Sequence, residues 1–310
     1  MRVAFNLGSM SFKGPDLGVY KYAKFNKEIL GNESIILCSK DSEMTIKDKF
    51  DKEFEVRLYK ETEDNRFLED LIKDQDVLYI HHRGKRTTRL PRNIKVCIHC
   101  ETAAETICGD VCAATSYTSA GSTGIPIVPY IVWLPEVKED LREILAIPDN
   151  AVVLGWHGSP GNFNLPTLKI AMSDVLFINK NIYFVIIDKT RALRHNRVIY
   201  LEPTTDDYFI SAFINTCDAM IHGKAAGESF GISVGEFSLK NKPVITYAYY
   251  ISDGEHLRIL GDQAIKWTDR DNLVSAILNI KRNHEGQFDA YKQFSPDKVM
   301  KQFDEVFLNG

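Results

Sequence analysis

The amino-acid sequence predicts an α/β protein made of two doubly wound parallel-sheet halves. Short apolar runs of strand length alternate with helical runs, the alternation occurs twice along 310 residues, and a proline-punctuated stretch separates the two series. This length suits two domains of ordinary size, and a hydrophobic content of 44% is that of a globular chain.

In the first half the apolar runs place strands at 2–6, 33–38, 55–59, 77–82, 95–100 and 112–116, with helices clearest at 19–30 and 65–73. The second half repeats the plan with strands at 151–157, 182–187, 197–201, 217–222, 243–247 and 264–268. Its helices are expected at 165–178, at 207–216, after Gly231 and at 272–282. The boundary is expected within 125–137, where Pro126, Pro129 and Pro135 interrupt an apolar stretch ahead of a polar helix at 138–145. The resulting domains are 1–133 and 134–310, facing a cleft.

Composition narrows the function. A net charge of −4 argues against a generally basic nucleic-acid binder, although it does not exclude a local patch. The N-terminus enters a short strand, and no run approaches the ~18 apolar residues of a membrane span, so a cytoplasmic protein is expected. Cys97, Cys100, Cys108 and Cys112 have spacings compatible with zinc. Strand alternation through 95–100 sends neighbouring side chains to opposite faces, so buried thiols are expected instead.

The most informative segment is 227–247, GESFGISVGEFSLKNKPVITY. Glu228 falls in the loop beyond the carboxyl end of strand 217–222, and Glu236 in the following helix. Ligands of open parallel sheets bind at that edge. Gly231 permits close backbone approach, and the N–H groups of Phe230, Gly231 and Ile232 at the helix start would attract a diphosphate. A carboxylate on the next turns can accept bonds from ribose hydroxyls.

On these residues the chain resembles the GT-B glycosyltransferases, in the mostly retaining group marked by Glu, seven residues, Glu. The resemblance implies two Rossmann-like domains, with the last helix, roughly 296–308, returning to the first. It gives Glu228 the donor sugar, Glu236 the ribose, and Ser229 to Ile232 the diphosphate. Gly14 and Gly18, after the first strand, take the place of a glycine-rich loop facing the donor phosphates, and His99 that of a histidine near the donor sugar. His81 and His82 end the preceding strand, and adjacency puts them on opposite faces, so at most one of them turns to the cleft.

One departure matters. Members of the group commonly carry Arg and, about five residues later, Lys in the loop after the second domain's first strand, here 155–163. This loop offers His157 and Gly158 to the phosphates, but Trp156 and Gly161 occupy the cation positions. Lys224 is the leading substitute, with Lys169 and His157 behind it. Arg83, Lys85, Arg86, Arg89, Arg92 and Lys95 form a basic run on the acceptor side, and Arg191, Arg194 and Arg197 a second cluster. Such patches suit DNA or an anionic membrane surface.

The expected reaction is therefore metal-independent transfer of a sugar from a nucleoside diphosphate to a hydroxyl, with no cofactor besides the donor. The acceptor is either a glycan or lipid-linked glycan, or a hydroxymethylated base of phage DNA. The missing cation pair also fits another class, a nucleotide-sugar-binding protein without catalysis. Two Asp-x-Asp pairs point away from metal chemistry: Asp74 and Asp76 precede a strand's amino end, and Asp269 and Asp271 look like helix caps. A dinucleotide-binding dehydrogenase is disfavoured because no G-x-G-x-x-G follows a first strand.

Overall fold

The computed structural model describes residues 1–60, 66–82, 90–102, 109–249 and 253–310. They divide into two compact units, Met1–Ile131 with Phe294–Gly310, and Val132–Gln293.

In the first unit β1 (Arg2–Leu7), α1 (Gly14–Glu28), β2 (Glu33–Ser39), α2 (Lys47–Asp51), β3 (Glu55–Tyr59), α3 (Arg66–Ile72), β4 (Val77–His82), β5 (Lys95–Cys100), β6 (Val111–Ala114) and α4 (Tyr117–Ala120) follow in order. The strands pair in parallel in the order β3-β2-β1-β4-β5-β6. Pleat alternation sends Ala4, Leu37, Leu78 and Ile98 to one buried face. Phe5, Tyr79 and His99 lie on the other, against Tyr22 of α1.

The second unit contains β7 (Val152–His157), α5 (Pro166–Ile178), β8 (Ile182–Ile187), β9 (Val198–Leu201), α6 (Asp207–Thr216), β10 (Ala219–Ile221), β11 (Gly227–Glu228), α7 (Ile232–Leu239), β12 (Val244–Tyr247), β13 (Asp253–Gly254), α8 (Glu255–Leu260), β14 (Ala264–Trp267) and α9 (Arg270–Leu278). Its main sheet has the order β14-β12-β10-β7-β8-β9, the first unit's winding again, while β11 and β13 form a separate two-stranded ladder. In each sheet the winding reverses beside the first strand, between β1 and β4 or between β7 and β10. The crevice at the carboxyl ends of such a pair is where an open sheet receives ligand.

The last helix, α10 (Pro296–Phe303), belongs to the first unit. Phe303 stacks on Phe5 and Tyr22, and Phe307 meets Tyr79 and His99. Burying each phenylalanine is worth about 1.5–3 kcal/mol, which accounts for the helix's adherence to this sheet. No described helix is long and apolar enough to cross a membrane.

Four local expectations are corrected. The first helix begins at Gly14 rather than at residue 19, because Pro15 fits a first turn and the Asp16 carboxylate holds the preceding loop, accepting Ser9 Oγ, Ser11 N and Ser11 Oγ. Residues 138–145 form only a turn. There Leu141 N donates to Thr216 Oγ1, Arg142 is drawn inward to Asp218, and Ala146 takes a positive φ of 52°. The helix expected at 272–282 ends at Leu278, with Asn279 as its C-cap. Arg197 is no surface cation: it is buried and donates to the carbonyls of Leu176, Asn179 and Ile182.

Candidate functional site

The loops after β7 and β10 meet at the carboxyl edge of the second sheet. Asn164 N and Leu165 N both donate to Gly223 O at 3.0 Å, tying the loops together. Asp188, beyond β8, fixes the first loop by accepting Gly161 N at 2.9 Å and Phe163 N at 3.3 Å. Trp156 points into the core at 1% exposure, packed near Phe163 and His222. Neither position expected to carry a cation supplies one: Trp156 is core, and Gly161 engages Asp188 through its backbone.

Gly231 caps α7 with φ of 87°. A Cβ there would stand 3.2 Å from Glu228 Cβ and 3.3 Å from His256 Cβ, so both conformation and space select glycine. Phe230 gives the site only backbone, since its ring is buried and its carbonyl accepts Tyr291 Oη–H at 2.7 Å. Ser229 is half-buried beside it.

Each glutamate has a basic neighbour. Glu236, on α7, lies 3.2 Å from His157 Nε2 at the end of β7. Glu228 holds Lys224 Nζ at 2.9 Å on one oxygen and His222 Nε2 at 3.4 Å on the other. Burial alone would raise the Glu228 pKa, but the His222 hydrogen bond and the Lys224 charge outweigh it and bring the carboxyl down to about 2. It is therefore an anion at neutral pH, with its side chain 15% exposed. Lys224, the candidate cation, is already paired with it.

Sequence reasoning missed three residues behind Glu228. His222 Nδ1 is 3.3 Å from Thr246 Oγ1, and Thr246 Oγ1 is 3.1 Å from His256 Nε2. The only signal in the sequence was His222 at the end of a predicted strand.

In the first unit, His99 does not reach a surface. It is 0% exposed, its Nδ1 is 2.6 Å from Tyr79 Oη, and burial lowers its pKa to about 4. Direct contact with a donor sugar is thereby corrected to a core position, while His81 Nε2 lies 2.6 Å from Tyr130 Oη at the end of β4. The His82 side chain falls outside the described residues. Gly14 starts α1 and Gly18 lies within it, where a Cβ would come within 2.4 Å of the Tyr130 ring. Gly14 therefore stands at the start of a helix that follows β1, and Gly18 one turn further along it.

Of the basic run, Arg83, Lys85, Arg86 and Arg89 fall outside the described residues. Arg92 is exposed, and Lys95 donates to the carbonyls of Leu308 and Gly310. Lys169, Arg191 and Arg194 are exposed. Cys97, Cys100 and Cys112 are buried, and Cys108 lies outside the described residues. Among the described residues no cluster suited to a metal ion occurs. Asp74 is bound in two places by Arg57, Asp76 accepts Arg2 N, and Asp269 caps α9 by accepting Asn272 N.

His256 is also buried, and desolvation lowers its pKa to about 3. With His99 it makes stability pH-dependent in a known direction. Between about 6.5 and these lowered values the unfolded chain binds protons that the folded chain excludes, so stability falls as pH falls. The limiting slope is about 1.4 kcal/mol per pH unit for each histidine. Urea midpoints at pH 7 and pH 5, a window above the carboxylate range, should differ accordingly, and equal midpoints would contradict the assignment.

Two units of this winding make the GT-B fold, shared by many enzymes that use nucleotide sugars. No protein-family description and no curated protein sequence matches the chain. Solved structures do. It is similar to Anabaena HepE, crystallised with UDP and glucose, at 14% identity and TM-score 0.73 over 100% of both chains. It is also similar to WaaG, a glycosyltransferase involved in lipopolysaccharide biosynthesis, at 12% identity and TM-score 0.68 over 99% of this chain and 100% of that one. A Listeria monocytogenes protein provisionally described as a UDP-N-acetylglucosamine 2-epimerase follows at 12% identity and TM-score 0.62, over 97% and 94%. At these identities the likeness shows the fold.

Proposed function

We propose that this chain is a glycosyltransferase, moving a sugar from a nucleoside diphosphate to an acceptor hydroxyl with retention at the anomeric carbon. The observation carrying this reading is the placement of Glu228 and Glu236 on either side of the α7 start, at the ligand edge of a doubly wound sheet. The backbone N–H groups of Phe230 to Ile232 and the helix dipole receive the diphosphate. Glu236, supported by His157, accepts from the ribose hydroxyls. Glu228 faces the transferred sugar as a fixed anion, and Lys224 shares its charge between Glu228 and the departing diphosphate. That diphosphate takes the acceptor proton on the same face, so the reading needs no separate base. The reading assigns no metal, and Asp74, Asp76 and Asp269 are engaged by Arg57, Arg2 N and Asn272 N.

UDP bound in a neighbour of the same fold makes UDP the first ligand to test. Losing a charge-assisted hydrogen bond costs about 1.5–3 kcal/mol, so Glu236→Ala should weaken UDP binding at least about tenfold by titration calorimetry. Undiminished affinity in a folded variant removes the ribose assignment.

One observation favours a second reading, binding without transfer: Lys224 is held by Glu228, and positions 156 and 161 carry no cation. For the acceptor, glycans, lipid-linked glycans and DNA containing hydroxymethylated bases are the classes to assay.

A further inference from the structure

We propose that the amino edge of the second unit's sheet carries a docking surface for an anionic lipid bilayer, built from Phe177, Ile178, Lys180, Arg191, Arg194 and His195. This surface lies at the opposite end of the strands from Glu228 and stands independently of the sugar-transfer reading.

Two connections bring these residues together. α5 runs back from the carboxyl edge of the sheet, so its last residues and the loop into β8 reach the amino edge, where Asn181 O accepts Val152 N. The connection from β8 to β9 ends at the same edge, because the two strands are parallel. Arg197 joins them: it is buried, and its guanidinium donates to the carbonyls of Leu176, Asn179 and Ile182. That bond set places His195, two residues before it, beside the end of α5.

The surface is apolar at its centre and basic around it. Phe177 and Ile178, on the last turn of α5, are 81% and 59% exposed. Lys180 Nζ stands 5.7 Å from the centre of the Phe177 ring, so cation and aromatic face share one patch. Arg191, Arg194 and His195 are exposed. Among the described residues, Lys180, Arg191 and Arg194 form no ion pair. His195 senses the local field: burial lowers its pKa, and the charges of Arg197 and Lys180 lower it further. Two acids adjoin this end of α5. Asp174 is held by Arg270 at 2.6 Å, and Asp149 is exposed one residue before Asn150, whose carbonyl accepts Asn181 Nδ2. The surplus is therefore positive.

Exposed apolar side chains ringed by unpaired cations suit a bilayer. There the apolar groups enter the acyl boundary while lysine and arginine meet the lipid phosphates. A nucleic-acid backbone would meet the cations but leave Phe177 and Ile178 in water. A second copy docked through the same patch about a two-fold axis would set these cations against their own kind.

Co-sedimentation of the whole chain with vesicles at low salt tests the proposal. The wild type should bind vesicles of equal phosphatidylglycerol and phosphatidylcholine at least about tenfold more tightly than phosphatidylcholine alone. Each cation near an anionic surface contributes about fivefold, so Lys180→Gln with Arg194→Gln should weaken binding about 25-fold. Lys266→Gln, exposed on the opposite edge strand β14, should change it less than about twofold. Phe177→Ser with Ile178→Ser should weaken binding at least about tenfold and leave its salt dependence unchanged. These side chains are exposed, so the far-ultraviolet spectrum should stay that of the wild type. Should the double serine variant not fold, the charge variants and the two vesicle compositions decide. Equal binding to both compositions, or a loss with Lys266→Gln as large as with Arg194→Gln alone, overturns the proposal. A chain that ignores vesicles but retains duplex DNA, or that dimerises until Phe177 and Ile178 are replaced, overturns it in favour of a nucleic acid or a second copy.

Discussion

Replacing Glu228 with Gln should reduce sugar transfer by about two to three orders of magnitude, the scale of removing one preorganised electrostatic group. Affinity for free UDP should stay within about threefold of the wild type, because the carboxylate is assigned to the sugar and not to the nucleotide. The substitution conserves shape but removes the charge that Lys224 and His222 hold at 2.9 and 3.4 Å. Steady-state transfer and calorimetric UDP titration on one preparation separate the two effects. Transfer within about twofold of the wild type, or UDP affinity falling in step with transfer, would contradict the assignment.

The largest effect on stability is expected at Asp218. Its Oδ2 accepts Arg142 Nη2 at 3.0 Å and Val153 N at 2.8 Å, and the two ion-paired side chains are only 6% and 8% exposed. Truncating one partner of a buried pair leaves the other charge without compensation and typically costs about 3–5 kcal/mol. Asp218→Ala should therefore lower the urea midpoint by that equivalent. Replacing both residues with apolar ones should cost less than the single change. The pair anchors the turn at 141–146 to β7, the strand whose far end carries His157. A loss below about 1 kcal/mol would mean that Arg142 finds adequate partners in the carbonyls of Pro148 and Ala151.

The sheets were legible because strands buried on both faces, such as 182–187, read as unbroken apolar runs. The segment around α7 was legible because glycine and carboxylates there stand at positions set by backbone geometry. What stayed hidden depended on partners distant in sequence. Thr246 meets His222 across 24 residues and His256 across 10, contacts that β12 and α8 create only on folding. Gly18 read as part of a glycine-rich loop from its position after the first strand, and nothing local announces the Tyr130 ring against which it packs. Arg197 read as a surface charge because nothing local announces the three carbonyls that receive it. His99 shares a sheet face with Cys97, and that face is covered by α1 and the C-terminal segment.

The central claim, that the second unit's edge transfers sugars from nucleotides, is tested most directly by nucleoside-diphosphate release. The wild type and Glu228→Gln would be incubated with UDP-, GDP- and ADP-sugars, each with glycan and hydroxymethylated-DNA acceptors, and the released diphosphate quantified. The account predicts acceptor-dependent release from at least one donor by the wild type, reduced about a hundredfold or more in Glu228→Gln. Release that is absent from every combination, in a wild type that still binds UDP, would contradict transfer and leave a nucleotide-sugar binder.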